Sequence, residues 1–419
     1  MNEIFNCDFC GKEITEVKKM FSSEDAHICD ECITMCSKVL EKEEIKESKK
    51  EFQMGLSVPV KIKEHLDNYV IGQDEAKKVL AVALYNHYKR IDKPIVKNVE
   101  LEKSNIMLIG PTGSGKTLLA KSLARILNVP FAVADATALT EAGYVGEDVE
   151  SILSRLLAAA DFDLEKAKKG IVYIDEVDKI ANKSESSTSG RDVSGEGVQQ
   201  GLLKILEGAE VYVPVKGSRK NSSAETILFD TTHVLFICGG AFVGLRESDS
   251  AKKSKKAPKM GFLKKEDEIE NKKAIEAKEL ISYGLIPEFV GRIPVIAELD
   301  KLSQEDLIRV LREPKNAITK QYEILFELDG VELSFSDDAL ERIAQIAYEK
   351  DVGARGLRGI IENIMLPLQY IIPSENNLKK CIITKDYIDK EKDVILEYKE
   401  DEEDYSNTKE IILKKKTAN

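Results

Sequence analysis

The sequence predicts an α/β protein in which a mostly parallel sheet is flanked by helices. From Pro59 onward, short apolar runs alternate with longer amphipathic segments, the order expected of parallel strands and their covering helices. A glycine-rich loop within this part separates an apolar run from a helical pattern and marks a strand-to-helix turn. A small, mainly helical C-terminal domain follows the sheet, and paired cysteines mark a separate N-terminal module.

Length and charge limit the possible classes of protein. A chain of 419 residues is too long for one compact core, so we expect several domains. No apolar run approaches the roughly 18 residues that cross a bilayer, and no signal peptide is evident, which predicts a cytoplasmic protein without a membrane partner. The net charge of −12 argues against nucleic acid as the main partner, since phosphate backbones attract clustered Lys and Arg.

Composition along the chain predicts five divisions. They are a small cysteine-containing module at 1–40, a charged linker at 41–58, a large α/β domain at 59–300, a small domain at 301–395 and a disordered tail at 396–419.

Four of the seven cysteines form two C-x-x-C pairs. The pair of Cys7 and Cys10 is separated from the pair of Cys29 and Cys32 by eighteen residues, a spacing typical of structural zinc sites. Each pair directs two thiolates to one point, so two pairs complete a closed tetrahedron. We therefore predict structural Zn²⁺, which contributes on the order of 10 kcal/mol to folding. Ordinary buried cysteines and a redox site are the alternatives, and the paired spacing disfavours both.

The glycine-rich loop follows the G-x-x-x-x-G-K-[ST] pattern, between an apolar run at 105–109 and a helical pattern at 118–127. Glycines let backbone N–H groups point inward, Lys116 supplies charge for the β- and γ-phosphates, and Thr117 is placed to bind Mg²⁺. We therefore predict an ATP site. Its residues are Gly110, Pro111, Thr112, Gly113, Ser114, Gly115, Lys116, Thr117 and Leu118.

A second motif completes this site. The apolar run that starts at Ile171 ends in Asp175 and Glu176, so a buried strand would present two carboxylates at its carboxyl end. Asp175 is suited to the Mg²⁺ shell, and Glu176 is suited to orienting and deprotonating the attacking water. The two matched motifs predict that the chain is an ATPase.

Apolar periodicity and capping residues predict the remaining elements. Ser303 and Ser336 are expected to cap helices at 303–326 and 336–350, and a third helix is expected from Gly353 to 364. The polar segment 183–197 is expected to be a mobile loop. The predicted strands are 105–109, 131–135, 171–175, 233–238, 331–335 and 380–384.

Several short strings together resemble those of the ClpX family of AAA+ unfoldases, which serve the ClpP peptidase. The similarity runs in register from Cys7 to Lys385 and covers nearly the whole chain. The strings are the zinc cysteines, Val70-Ile71-Gly72-Gln73, the glycine-rich loop, Ala142-Gly143-Tyr144-Val145-Gly146-Glu147, Ile174-Asp175-Glu176, Arg191-Asp192-Val193-Ser194-Gly195-Glu196-Gly197, Leu285-Ile286-Pro287-Glu288-Phe289-Val290-Gly291-Arg292 and Gly353-Ala354-Arg355.

The resemblance implies a homohexameric ring with ATP bound between neighbouring subunits. It implies that Arg292 is an arginine finger that reaches into the next subunit's site, and that Arg355 is a second sensor carried by the small domain. Val70 and Ile71 are implied to pack on the adenine. The first sensor cannot be assigned, because the run that ends at Cys238 lacks the Asn common in the wider superfamily.

The resemblance also implies protein substrates, adaptors and a ClpP-type peptidase as partners, and a zinc module that pairs with its own copy. It assigns substrate contact in the pore to Tyr144, Val145, Arg191, Arg219 and Lys220. Two positions depart from the family pattern: Asn221 replaces His in the pore-entrance loop, and Met260 replaces Ile in the peptidase-docking tripeptide. That tripeptide is Met260, Gly261 and Phe262.

Two other functions remain as alternatives. A nucleic-acid motor of the same superfamily would share both nucleotide motifs, but the acidic net charge counts against it. A non-catalytic scaffold would not need Glu176 and Arg292. A peptidase is not expected, because neither H-E-x-x-H nor G-x-S-x-G occurs in the chain.

Overall fold

The computed structural model describes residues 6–23, 26–37, 58–92, 95–96, 98–140, 147–182, 195–214, 226–245, 274–375 and 377–399. The chain divides into two units, Met1–Val58 and Pro59–Asn419. Nearly all of the predicted linker and the tail beyond residue 399 lie outside the described residues.

The N-terminal unit contains a short antiparallel hairpin and a helix. Strand β1 (Met20–Ser22) pairs with β2 (His27–Cys29), and Met20 lies opposite Cys29. A 3₁₀ turn, Ile14–Glu16, precedes the hairpin, and helix α1 (residues 30–37) follows it. Cys29 ends the hairpin and Cys32 lies in the first turn of the helix, so the second cysteine pair spans the junction between these elements.

Strands and helices alternate through the second unit. Its described strands are β3 (Ile95–Val96), β4 (Val99–Glu100), β5 (Ile106–Ile109), β6 (Phe131–Asp135), β7 (Leu139–Thr140), β8 (Glu147–Asp148), β9 (Ile171–Asp175), β10 (Glu210–Pro214), β11 (Thr226–Asp230), β12 (Leu235–Gly240), β13 (Val295–Glu298), β14 (Glu332–Phe335), β15 (Leu378–Ile383) and β16 (Ile395–Tyr398). Its described helices are α2 (Pro59–Asp67), α3 (Asp74–Asp92), α4 (Lys116–Leu127), α5 (Ser151–Ala159), α6 (Leu164–Ala167), α7 (Glu196–Glu207), α8 (Ala277–Tyr283), α9 (Pro287–Gly291), α10 (Gln304–Arg312), α11 (Ile318–Leu328), α12 (Asp337–Glu349), α13 (Gly353–Ile371) and α14 (Lys385–Ile388), with 3₁₀ turns at Ala136–Ala138, Val177–Ile180 and Ile372–Ser374.

The main sheet has five parallel strands in the order β13-β5-β12-β9-β6. Strands β5 and β12 are buried along their whole length, as expected for parallel strands covered on both faces. The predicted α/β fold with a parallel sheet is therefore confirmed. The sequence analysis missed β13, an edge strand that pairs with β5 and is only partly buried.

One predicted strand starts two residues late. The range 233–238 was expected, but β12 begins at Leu235, because a turn in which the Val234 N–H donates to the Thr231 carbonyl precedes it. Its far end extends to Gly240, beside the glycine-rich loop: the Gly110 N–H donates to the Gly240 carbonyl at 3.2 Å.

Two hydrophobic clusters stabilise the second unit. The larger one packs against the main sheet and includes Ile174, Leu156 and Phe236. The second belongs to the C-terminal helices and includes Phe326 and Met365. No helix within the described segments is long and apolar enough to cross a bilayer.

The C-terminal part differs from the prediction in detail. The expected helix at 303–326 is two helices, α10 and α11, separated around Pro314, which lacks an N–H donor and whose ring disfavours a helix interior. Ser303 caps α10 as predicted, since its hydroxyl accepts from the Asp306 N–H at 3.0 Å. Ser336 occupies the cap position of α12, but its hydroxyl donates to the Ile383 carbonyl instead.

One predicted helix and the small domain both extend beyond their predicted ends. Helix α13 continues to Ile371, past the predicted end at 364 and through Pro367. Strand β16 occupies residues that were assigned to the tail, because it pairs with β15 and so completes a sheet of three strands with β14.

Candidate functional site

The glycine-rich loop joins the carboxyl end of β5 to α4. Gly113 and Gly115 have φ values of 81° and 100°, backbone conformations that residues with a Cβ rarely adopt. Gly115 occupies the cap position of α4 and has no side chain, so the first N–H groups of the helix are left for a ligand. A curled loop at a helix N-terminus is suited to phosphate.

Lys116 is buried within this loop. Its Nζ donates hydrogen bonds to the carbonyl oxygens of Gly110, at 2.7 Å, and Pro111, at 3.0 Å. Burial lowers the pKa of the ammonium group, while Asp175 and Asp178 act in the opposite direction. A desolvated cation that rests on neutral carbonyls favours an anionic ligand.

The acidic end of β9 lies against the first turn of α4. Thr117 Oγ1 is 3.1 Å from Asp175 Oδ2. The hydroxyl of Tyr173 donates to the other carboxylate oxygen, Asp175 Oδ1, at 3.0 Å and lies 3.5 Å from Thr117 Oγ1. A hydroxyl and a carboxylate at this separation form an oxygen donor set that fits Mg²⁺.

Glu176 follows Asp175 at a sharp turn. Its φ of 57° lies in the left-handed region, which is uncommon for residues other than glycine and is often found at functional sites. The turn leaves Glu176 exposed, whereas Asp175 is half-buried and Val177 is fully buried. The two carboxylates are therefore adjacent in sequence but differ in access to solvent.

Val70 and Ile71 are both buried, with 4% and 5% of their surfaces exposed. Val70 borders the glycine-rich loop, because a Cβ built on Gly115 would lie 3.8 Å from Val70 Cγ1. Leu118, predicted as a further contact, lies in the first turn of α4 and is exposed.

Helix α13 of the C-terminal part touches the loop directly. The Ala354 N–H donates to the Gly113 carbonyl at 3.3 Å. A Cβ on Gly113 would lie 3.0 Å from the carbonyl oxygen of Val352, and a Cβ on Gly353 would lie 3.1 Å from Gly113 Cα. This approach therefore requires glycine on both sides. Arg355 lies in the same first turn of α13 and is exposed.

Arg292 lies at the amino ends of the strands, whereas the glycine-rich loop lies at their carboxyl ends. It precedes the amino end of β13, and its carbonyl accepts from Asn105 Nδ2, just before β5, at 2.8 Å. The loop follows the carboxyl end of β5. Five residues of extended chain, roughly 16 Å, therefore separate Asn105 from the first residue of the loop, Gly110. The Arg292 guanidinium instead contacts Glu207, with Nε 2.7 Å from Oε1. Arg292 is therefore too far away to serve the site of its own chain.

The four predicted zinc ligands form one cluster whose Sγ atoms all lie within 4.8 Å of one another. The distance is 3.9 Å between Cys7 and Cys32 and 3.7 Å between Cys10 and Cys29. Tetrahedral zinc with bonds of about 2.3 Å requires sulfur atoms about 3.8 Å apart. Burial raises the pKa of Cys7, but backbone N–H donors, first that of Cys29 at 3.3 Å, lower it to about 6 overall. This geometry fits a zinc thiolate site.

Other predicted site residues lie outside the described residues. They are Tyr144, Val145, Arg191, Arg219, Lys220, Asn221, Met260, Gly261 and Phe262.

Two polar residues at the site were missed by the sequence analysis. Tyr173 holds Asp175, and its only signal was a hydroxyl within an otherwise aliphatic strand. Gln73 joins the loop to Asp300, the last residue before the predicted small domain: its Nε2 donates to the carbonyls of Asp300, at 2.8 Å, and Ser114, at 3.4 Å. The two contacts of Gln73 join residues distant in sequence, so no local pattern could reveal them.

Comparison with known proteins matches three parts of the chain to family models. Residues 6–42 match the ClpX C4-type zinc finger, residues 101–296 match the AAA domain of the Cdc48 subfamily, and residues 302–382 match the C-terminal D2-small domain of ClpB. These matches agree with the cysteine cluster, the parallel sheet and the C-terminal helices described above.

Curated relatives align over nearly the whole chain. The ATP-dependent Clp protease ATP-binding subunit ClpX 2 of Wolinella succinogenes is 58% identical over 383 residues, which cover 91% of this chain and 95% of the relative. The ATP-dependent Clp protease ATP-binding subunits ClpX of Borrelia duttonii and Borrelia recurrentis are each 51% identical over 393 residues, 92% of this chain and 91% of the relative. The chain therefore belongs to the ClpX family of AAA+ ATPases.

Proposed function

We propose that this chain recognises tagged or adaptor-delivered proteins, unfolds them with the energy of ATP, moves them through a hexameric pore and delivers them to a ClpP-type peptidase. The observation that carries this proposal is the pair of Thr117 and Asp175, whose oxygens lie 3.1 Å apart at the start of the phosphate-binding helix, with Glu176 next in sequence. The printed names of the relatives, which describe ATP-binding subunits of an ATP-dependent protease, support it.

Each side chain at the ATP site has a proposed task. Lys116, which now contacts only loop carbonyls, would bind the β- and γ-phosphates. Thr117 and Asp175 would hold Mg²⁺, which neutralises the charge that develops on the phosphates. Glu176, exposed beyond them, would orient the attacking water and accept its proton.

The position of Arg292 supports a ring. Arg292 lies at the amino ends of the strands, and its own glycine-rich loop lies at their carboxyl ends. If the Arg292 guanidinium acts on ATP, it must therefore act on the ATP of a neighbouring subunit. We therefore propose a homohexamer in which Arg292 stabilises the phosphoryl charge in the next site.

The small domain has a proposed role in coupling. The contact of Gly113 with α13 joins the loop that binds phosphate to the helix that bears Arg355. Binding or loss of the γ-phosphate would act on both sides of this contact and so change the angle between the domains. Val70 is proposed, with Ile71, to contact the adenine.

The remaining roles rest on the family resemblance. Tyr144 and Val145 would grip the polypeptide, with Arg191, Arg219 and Lys220 as further pore contacts. Met260, Gly261 and Phe262 would dock on the peptidase, since Met fills apolar pockets that accept Ile. Adaptor binding and self-pairing of the zinc module, a cytoplasmic location and the lack of a nucleic-acid partner likewise remain predictions.

The experiment that tests the function uses a stably folded fluorescent protein with a flexible terminal tag. The full chain, a ClpP-type peptidase and this substrate are mixed with and without ATP, and fluorescence and phosphate release are followed together. We expect ATP-dependent loss of fluorescence. The Glu176→Gln variant should bind ATP but lower turnover by about 10²-fold or more.

The outcomes separate the steps. Loss of fluorescence while the substrate stays full-length on a gel would show unfolding without delivery to the peptidase, and would contradict the role of Met260. Sustained phosphate release with unchanged fluorescence would leave the ATPase intact and contradict the unfoldase proposal for this tag. Undiminished turnover by Glu176→Gln would remove Glu176 from the chemistry.

A further inference from the structure

Helix α7 lies between the acidic turn after β9 and the segment that leads to Arg292. Its residue Gln199 is fully buried. Gln199 Nε2 donates to the carbonyl of Ile180, at the end of the 3₁₀ turn that follows Glu176, at 2.8 Å. Gln199 Oε1 accepts from the N–H of Ile286, the cap residue of α9, at 2.8 Å. One amide therefore joins the acidic turn to the start of the helix that ends at Arg292.

The other end of α7 holds Arg292 itself. Glu207, the last residue of α7, accepts from Arg292 Nε at 2.7 Å. Nδ2 of the buried residue Asn105 donates to the carbonyls of both Leu206, at 3.1 Å, and Arg292, at 2.8 Å. Both the backbone and the guanidinium of Arg292 are thereby tied to the C-terminal turn of α7.

The segment from Gly284 to Arg292, which contains both clamps, is short and tightly packed. The Asn182 N–H donates to the Gly284 carbonyl at 2.9 Å, and a Cβ on Gly284 would lie 2.4 Å from the Asn182 carbonyl oxygen. Within α9, Phe289 is fully buried in the larger hydrophobic cluster. These contacts connect the backbone of Arg292 to the turn that carries Glu176.

We propose that α7 positions Arg292 relative to the acidic turn of its own subunit, with Gln199 setting the start of α9 and Glu207 holding the guanidinium. The inference rests on the proposed role of Arg292 as a finger for the neighbouring site. Gln199 and Glu207 are then positioning residues that touch neither ATP nor the attacking water. Through them, a shift at Glu176 on hydrolysis in one subunit would displace the finger offered to the next.

The test uses rings of the full chain that are mixed from two inactive subunits. The donor subunit carries Glu176→Gln and keeps Arg292; the acceptor subunit carries Arg292→Ala and keeps Glu176. Each alone should release little phosphate, while the mixture should be active wherever a donor finger meets an acceptor site. Gln199→Met is then introduced into the donor in one mixture and into the acceptor in another.

The proposal predicts an asymmetric result. In the donor, Gln199→Met should lower the phosphate release of the mixture by about tenfold or more, because small misplacements of a catalytic group are costly. In the acceptor, whose own finger is absent, the same change should lower it by less than about twofold. Leu202→Ala, a matched change at a fully buried residue of α7, should affect both arms equally.

Three outcomes would overturn the inference. Equal losses in both arms would show that Gln199 acts on the fold or on its own acidic turn and not on the finger. Full activity with the Gln199 variant in the donor would show that Arg292 needs no such support. No activity in the unmodified mixture would refute the role of Arg292 between subunits, and the inference with it.

A variant at the protein surface tests the same role if Gln199→Met does not fold. Glu207→Gln removes the charge that pairs with Arg292 at a half-exposed site and should leave folding intact. In the donor it should lower activity by about two- to fivefold, and in the acceptor it should have no effect. Equal effects in both arms would contradict the positioning role.

Discussion

The zinc module and the ATP site are both assembled from two short motifs, but they are held together in different ways. Within the described part of the N-terminal unit, the only buried hydrophobic residues are the zinc ligands Cys7 and Cys29. The ATP site rests on strands β5, β9 and β12, whose apolar residues are almost completely buried. The first site lacks a core of its own, whereas the second is built on one.

This difference shows where the stability of each site arises. A module without apolar burial depends on its metal for folding, as small zinc domains do. The ATP site is positioned by strands buried among apolar side chains, so we expect the sheet to stay folded when nucleotide leaves. Removing a ligand should therefore unfold the first site and only empty the second.

The largest expected effect is at the zinc ligands. Cys29→Ser should abolish zinc binding and unfold the module, because metal binding contributes on the order of 10 kcal/mol. The thermal unfolding of the ATPase body should be unchanged. Zinc content and limited proteolysis of the full chain measure both, and Cys36→Ser is the matched control, since Cys36 lies outside the four-sulfur cluster. A module that remains protease-resistant without zinc would remove the contrast.

A smaller effect is expected in the core beneath the ATP site. Leu156→Ala deletes a fully buried side chain of α5 and should lower the free energy of unfolding of the body by about 2–5 kcal/mol. Zinc content should not change. Val82→Ala, at a half-exposed position of α3, is the control and should cost less than about 0.5 kcal/mol in chemical denaturation. Loss of zinc in the Leu156 variant would show that the two sites are not independent.

The smallest effect concerns a single hydrogen bond. Tyr173→Phe removes the hydroxyl that donates to Asp175. It should weaken the binding of nucleotide in the presence of Mg²⁺ by about 1 kcal/mol, roughly fivefold in affinity. Titration of a fluorescent nucleotide at several Mg²⁺ concentrations measures this. Tyr212→Phe, which alters an exposed tyrosine of β10, should change nothing. Equal Mg²⁺ dependence in both variants would remove Tyr173 from the site.

The space for that tyrosine also depends on the sheet. A Cβ on Gly239 of β12 would lie 2.1 Å from the Tyr173 hydroxyl oxygen. Strand β12 was the run in which no first sensor could be assigned. Gly239 therefore leaves room for the Tyr173 hydroxyl beside Asp175.

The sequence by itself determined the features that depend on local order. Three features lie where the sequence predicted them, because their geometry follows from neighbours along the chain. They are the four clustered cysteines, the glycine-rich loop between β5 and α4, and the two carboxylates at the end of β9. Four of the five strands of the main sheet were predicted because their sequences are mainly apolar, whereas the edge strand β13 was missed.

Only the tertiary structure decided the contacts between distant segments. Gln199 joins Ile180 to Ile286, which lies 87 residues beyond Gln199, and Gln73 reaches Asp300, 227 residues away. The contact between Gly113 and Gly353 and the separation of Arg292 from its own glycine-rich loop have the same origin. Such pairs are set by strand order and packing, and a polar side chain carries no local signal of the carbonyl that folding will bring to it.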